Sequence, residues 1–154
     1  MVVHLDEFLR TGELGPVRMG MSRDDVLRVL GEPERLGGTS KNHPQALIWK
    51  YGDVELHFDP GTDLIALVYA DGFDLPHGAL GLALEPGWLR GGLPLDTALA
   101  RLAEAELSSA MRVPDYDPGH AVLELESGVL LGFNVEGGGA RVRRGLVFFS
   151  QGPR

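Results

Sequence analysis

Apolar residues along this chain recur with two periods. Leu5, Phe8 and Leu9 fall at helical spacing and are closed by Thr11-Gly12, which predicts a short first helix. Ser22, with Asp25 three residues on and then Val26, Leu27, Val29 and Leu30, predicts a second helix over 22–30 with a serine N-cap. Gly31 and Pro33 stop it. Residues 35–45 are polar and glycine-rich and read as loop. From Leu47 the period falls to two: 47–51, 54–58 and 64–69 read as three strands, joined by turns at Gly52-Asp53 and 59–63.

The same order returns further along. Leu93-Pro94-Leu95-Asp96 leads into Ala98, Leu99, Leu102 and Ala103, a helix over 96–107 with Asp96 or Thr97 as N-cap and Ser108 or Ser109 at its end. Strands follow at 122–126, 129–133 and 141–149, around the turn Ser127-Gly128 and a hairpin at 136–139. Val26 and Val29 correspond to Leu99 and Leu102 at a separation of 73; Val54, Leu56 and Phe58 correspond to Val129, Leu131 and Phe133 at 75. A two-residue insertion reconciles these offsets, so a duplication is favoured over two unrelated helix-plus-meander units. The expected fold is α+β: two tandem helix-plus-antiparallel-meander repeats, with the helices on one face of the sheet. The expected boundaries are residues 1–70 for the first repeat, 71–86 for a linker with an additional edge strand, and 87–154 for the second repeat.

Composition narrows the function. The chain has 154 residues, 44% of them apolar and 23% charged, which fits one globular unit. A net charge of −8 lacks the basic footprint of a nucleic-acid binder and suits a basic partner. There are no cysteines, which excludes disulfides, thiolate chemistry and cysteine-bound zinc. Asp6 and Glu7 stand where a signal peptide would have its apolar core, and no stretch approaches the ~20 apolar residues of a membrane span. A cytoplasmic location, with no membrane and no nucleic-acid partner, is the expectation.

Catalytic patterns are not found. Gly37-Gly38-Thr39-Ser40-Lys41 has the wrong order for a phosphate loop, and His4, His43, His57, His77 and His120 are not spaced as metal ligands. Glu55, His57 and Asp59 alternate outward on one strand, which reads as a solvated face before a metal or general-base site. No enzyme activity, cofactor or metal is expected.

Leu14-Gly15, the run Met19-Gly20-Met21-Ser22-Arg23-Asp24-Asp25-Val26, Leu30-Gly31-Glu32-Pro33, Trp49-x-Tyr51 and Val54-x-Leu56-x-Phe58 resemble the superfamily of the small outer-membrane assembly lipoproteins and the β-lactamase-inhibitory-protein-like domains. The resemblance covers 14–69, and 93–149 in outline. It implies helices on one face of an antiparallel sheet and a protein bound on the other. The signal peptide, anchoring cysteine and disulfides of those relatives have no counterpart here, so neither envelope assembly nor their partner is carried over.

Alternation puts Val54, Leu56, Phe58, Leu123, Leu125, Val129, Leu131 and Phe133 under the helices, and Val26, Leu30, Leu99 and Leu102 on the helix faces above them. It turns Lys50, Glu55, His57, Glu124 and Glu126 to the opposite face, with the loop aromatics Trp88 and Tyr116 at its rim. Trp49 and Tyr51 read as core, and Phe73 as a third loop aromatic. These residues predict a non-enzymatic protein-binding module, an immunity or inhibitor protein whose open sheet face meets a toxin or enzyme, with a basic toxin as the favoured partner. A ligand-binding protein or small enzyme on the polar face, and a homodimer or larger homo-oligomer, are the alternatives.

Overall fold

The computed structural model describes residues 2–39, 41–42, 44–71, 83–85, 87–113, 119–134 and 145–152. Strand β1 (Val2–His4) runs straight into helix α1 (Leu5–Thr11). Leu5, Phe8 and Leu9 are buried, while Asp6 and Glu7 occupy the first turn, where the positive end of the helix favours them. Gly12 closes the helix at φ 78°, its N–H donating to the Phe8 carbonyl at 2.7 Å. A β-carbon at Gly12 would lie 2.8 Å from the Ser127 carbonyl oxygen, so backbone angle and close packing both require glycine.

Helix α2 (Arg23–Leu30) begins as its sequence predicts, with the Asp25 N–H donating to Ser22 Oγ at 3.2 Å. Four strands follow: β2 (Arg35–Gly37), β3 (Ile48–Tyr51), β4 (Val54–Phe58) and β5 (Ile65–Ala70). β2 corrects the loop expected over 35–45. Its three residues carry no alternation to betray a strand; they are held by pairing Arg35 with Lys50, Leu36 with Trp49 and Gly37 with Ile48. Strand β6 (Ala83–Glu85) lies in the expected linker. It pairs in parallel with β1 rather than extending the main sheet, and 72–82 lie outside the described residues.

Helix α3 (Leu95–Glu104) starts one residue earlier than expected. Pro94 is at the N-cap, and the Asp96 carboxylate accepts the Thr97 N–H at 2.8 Å. It also ends sooner. Glu106 adopts a left-handed φ of 58°, with hydrogen bonds from Leu107 N–H to the Leu102 carbonyl (2.9 Å) and from Glu106 N–H to the Ala103 carbonyl (3.0 Å). That double bond pattern is a Schellman closure, with glutamate where glycine is usual. Ser109, read as part of the helix end, instead opens strand β7 (Ser109–Arg112). Strands β8 (His120–Leu125), β9 (Val129–Asn134) and β10 (Gly145–Gln151) complete the described chain. The residues of the last expected strand that precede Gly145 lie outside the described residues.

The fold is therefore α+β, with a large antiparallel sheet in the order β2-β3-β4-β5-β10-β9-β8-β7. β5 and β10 join at the centre, Tyr69 opposite Ser150 and Ala70 opposite Phe149. One face of the sheet is buried. Trp49, Tyr51, Val54, Leu56, Phe58, Val68, Leu123, Leu125, Val129, Leu131, Phe133 and Phe149 all belong to the core, as do Val26, Leu30, Ala98 and Leu102 of the helices. The Phe8 ring of α1 stands 5.2 Å from that of Phe149, and the Tyr51 hydroxyl donates to the carbonyl of Gly31 at the end of α2 at 2.8 Å. Leu99 departs from expectation: it is 39% exposed, because Ala98 and Leu102 take the core stripe of α3 and Leu99 lies one position off it. Among the described residues no helix is long and apolar enough to cross a membrane.

Candidate functional site

Cross-strand partners share a face, so the register alone draws the second face of the sheet. One row runs across all eight strands: Arg35, Lys50, Glu55, Tyr69, Ser150, Leu130, Glu124 and Ala110. A neighbouring row places Phe148 opposite Gly132, Gly132 opposite Val122 and Val122 opposite Arg112. These positions alternate with the buried ones along β3, β4 and β8, and most are half-exposed.

Three of the sequence-predicted residues meet at one end of this face. The Glu55 carboxylate bonds Lys50 Nζ at 3.0 Å and His57 Nε2 at 2.8 Å, each partner on a separate oxygen. Partial burial pushes the Glu55 carboxyl upward. The hydrogen bonds from His57 and Lys50, together with their charge, outweigh this and hold it below its ordinary value. A carboxylate so held is a poor general base. Asp59 is not part of the cluster, contrary to the outward alternation expected of it. The strand ends at Phe58, and Asp59 folds into the following turn, accepting the N–H groups of Gly61 at 2.7 Å and Thr62 at 3.0 Å. Those bonds lower its pKa.

Glu124 lies four strands from Glu55, roughly 19 Å at ~4.8 Å per strand. Its carboxylate is taken by Arg112 of the adjoining edge strand. Glu126 is not on a strand: β8 ends at Leu125, and Glu126 stands exposed in the turn before β9. Glu124 and Glu126 do come together in a shallow groove of about 410 Å³, with Ser108, Ser109 and Ala110. Trp88 does not stand free at the rim. It is half-buried against the core, next to Gly87, whose backbone lies against the Asp6 carboxylate of α1. Tyr116, like Phe73, lies outside the described residues. With Arg35, Lys50 and Arg112 on the face beside Glu55 and Glu124, its charges are mixed in sign, although three of the residues that the sequence assigns to it are glutamates.

The centre of the face is apolar, which the sequence reading missed. Tyr69 and Phe148 bring their ring centroids to 5.6 Å, with Leu130 across Ser150 from Tyr69. Phe148 lies directly over Gly132; a β-carbon there would collide with its ring. The glycine is thus the seat for the ring, an aromatic covering a glycine across two strands. Partial burial, with Asp71 and Glu55 nearby, raises the Tyr69 hydroxyl. The adjacent pair Phe148-Phe149 carried the signal: on a strand, neighbouring residues face opposite ways, so both cannot be core. Among the described residues no three His, Asp or Glu side chains converge as metal ligands.

The face thus carries an aromatic centre flanked by ion pairs. Comparison with protein-family models, with curated proteins and with solved structures returns no match for this chain.

Proposed function

We propose that this chain is a non-enzymatic protein-binding module, an inhibitor or immunity-type protein that occludes a basic toxin or enzyme with the half-exposed face of its sheet. In this reading the two units 1–70 and 87–154 are tandem repeats about the linker 71–86, their helices cover one face, and the partner covers the other. The identical order of α2 with β2–β5 and α3 with β7–β10, mirrored about the β5–β10 seam, supports the repeat. The resemblance of residues 14–69 to inhibitory-protein-like domains supports binding of a protein as the role.

The observation that carries the reading is the Tyr69–Phe148 pair, half-exposed at the middle of the face beside Leu130. Aromatic side chains at the centre of a patch are the residues on which binding energy concentrates. Two carboxylates of the face are already paired within the sheet, Glu55 with Lys50 and His57 and Glu124 with Arg112. Covering such pairs strands neither partner alone, so docking costs less desolvation than burying an unpaired charge would. The net charge of −8 then acts at a distance, steering a basic partner toward the molecule.

The test is quantitative capture from lysate of the source cell, followed by affinity measurement with the purified partner. Tyr69→Ala and Phe148→Ala should each weaken binding by about 30-fold, the scale of a hot-spot residue. Trp88→Ala, folded, should leave it unchanged. Equal capture by wild type and both aromatic variants would refute the face. Loss of the partner's activity on binding distinguishes an inhibitor from a scaffold.

A further inference from the structure

We infer that β7 is a dimerisation edge, on which a second copy of this chain adds its own β7 antiparallel about a two-fold axis through Met111. This edge adjoins the sheet face of the proposed function and shares Arg112 and Glu124 with it, but its test does not depend on that reading.

β7 ends the eight-stranded sheet, and among the described residues its partner is β8 alone. All four of its residues are exposed. Protein edges are ordinarily blunted by lysine, proline, a bulge or a covering element. Among the described residues β7 (Ser-Ala-Met-Arg) has none of these, and its one charge, Arg112, is engaged by Glu124. The edge is apolar as well. Of the five large hydrophobic side chains left exposed among the described residues, Met111 (56%), Val113 (52%) and Leu99 belong to this edge. Met111 and Leu99 share an apolar groove of about 520 Å³ with Leu95 and Pro94. The opposite edge, β2, is shorter and runs into Gly37-Gly38.

Register selects the second copy as occupant. Met111 is opposite Leu123 and Ser109 opposite Leu125, so both point toward the core side; Ala110 and Arg112 point toward the half-exposed side. Residues facing each other across an antiparallel pair must share a side. With the axis through Met111, the two methionines meet beside both Leu99 side chains, and Ser109 stands opposite Val113 of the other copy. Ala110 stands opposite Arg112 of the other copy. Across β7 from Ala110 is Glu124. Each long arginine therefore lies over a small alanine and reaches a second carboxylate, and no like charges are opposed. Each Arg112 gains a bond across the axis. The sheet becomes continuous through both chains, with two aromatic centres on one side.

Sedimentation velocity of the full chain decides it, run from about 1 to 100 μM, the range expected of a modest interface. The wild type should sediment at twice its 16.6 kDa mass at the upper end. Met111→Lys should be monomeric throughout, while Leu36→Lys, on the opposite edge, should dimerise as wild type. Arg112→Glu should be monomeric and the exchange Arg112→Glu with Glu124→Arg should restore the dimer. Circular dichroism confirms folding; should Met111→Lys unfold, Val113→Asp replaces it with the same expectation. A wild type that stays monomeric at 100 μM, a folded Met111→Lys that remains dimeric, or dissociation by Leu36→Lys instead, overturns the proposal. So does a monomer whose β7 is occupied by a different protein.

Discussion

Replacing Arg23 by lysine should damage the fold more than replacing it by methionine. Arg23 is the one buried charged side chain among the described residues, 7% exposed at the first position of α2. Its Nε donates to Asp63 Oδ1 at 2.7 Å and its Nη1 to the Ala46 carbonyl at 2.7 Å, and its Cζ lies 4.3 Å from the centre of the Phe58 ring and 5.3 Å from that of Trp49. The guanidinium thus ties the helix to two loops and the sheet. Arg23→Met forfeits a charged hydrogen bond of about 1.5–3 kcal/mol. It also loses two ring contacts of about 0.5–1 kcal/mol each and a half-exposed ion pair of about 0.5 kcal/mol. In return it releases a desolvated charge and the buried Nη2, which has no hydrogen-bond partner and costs about 1–3 kcal/mol. The net loss is about 1–2 kcal/mol, since methionine still fills the space between the rings.

Arg23→Lys keeps the desolvated charge but gives up the planar fork that serves Asp63 and Ala46 together. A loss of about 3–4 kcal/mol follows, the scale of a buried charge left short of partners. Urea unfolding with a common m-value measures both. A third variant isolates the charge: Asp63→Asn tolerates the φ of 58° at that position, and the double variant Arg23→Met/Asp63→Asn should match Arg23→Met within about 0.5 kcal/mol. A lysine variant as stable as the methionine variant, or more so, would refute this account of the site.

Leu102→Ala, wholly buried, should cost about 2–5 kcal/mol, whereas Leu99→Ala should cost about 0.5 kcal/mol or less in the same unfolding assay. Glu106→Gly should stabilise by about 0.5–1 kcal/mol, because the left-handed penalty it removes exceeds the entropy an unfolded glycine gains; no rise in midpoint would count against the Schellman closure. Burial, with Glu32 nearby, raises the Tyr51 hydroxyl to about 12. The fold favours its neutral form, so its contribution is complete below pH ~10 and lost as pH rises from there toward 12. Tyr51→Phe should flatten that alkaline fall, read by denaturant midpoints. Gly132→Ala should displace the Phe148 ring and cost about 1–3 kcal/mol. Restoration by Phe148→Ala in the same chain would show the clash to be the cause.

Strict alternation made the inner strands legible. Val54, Leu56 and Phe58 on β4 and Val129, Leu131 and Phe133 on β9 fall on the core side as their spacing demands. Each of these strands sets a buried row against a wetter one, broken in β9 only at Gly132, which Phe148 covers. The edges were not legible for the same reason reversed. β2 and β7 are held by backbone pairing to β3 and β8, so their side chains need no pattern. The end of α3 was misread because its stop signal is a glutamate: tertiary context holds Glu106 in a conformation for which a sequence reading looks for glycine.

The site was legible by position and not by chemistry. Alternation assigned Lys50, Glu55, His57 and Glu124 to the correct side of the sheet, yet their isolated signs suggested an acidic surface. Pairing is a two-strand property. Lys50 meets Glu55 because β3 and β4 form a hairpin, but Arg112 meets Glu124 through an edge strand the sequence does not announce, and that bond removes the excess of negative charge. The aromatic centre was hidden by a longer-range fact. Tyr69 and Phe148 are 79 positions apart and meet because the last strand returns to the seam beside β5, joining the two halves there. That seam sets Tyr69 of β5 opposite Ser150 and so beside Phe148 of β10, whose ring rests on Gly132 of β9. The same step that closes the sheet therefore builds the surface proposed to bind, so damage to the seam and damage to recognition should be separable only by variants that keep Gly132 and shorten Phe148.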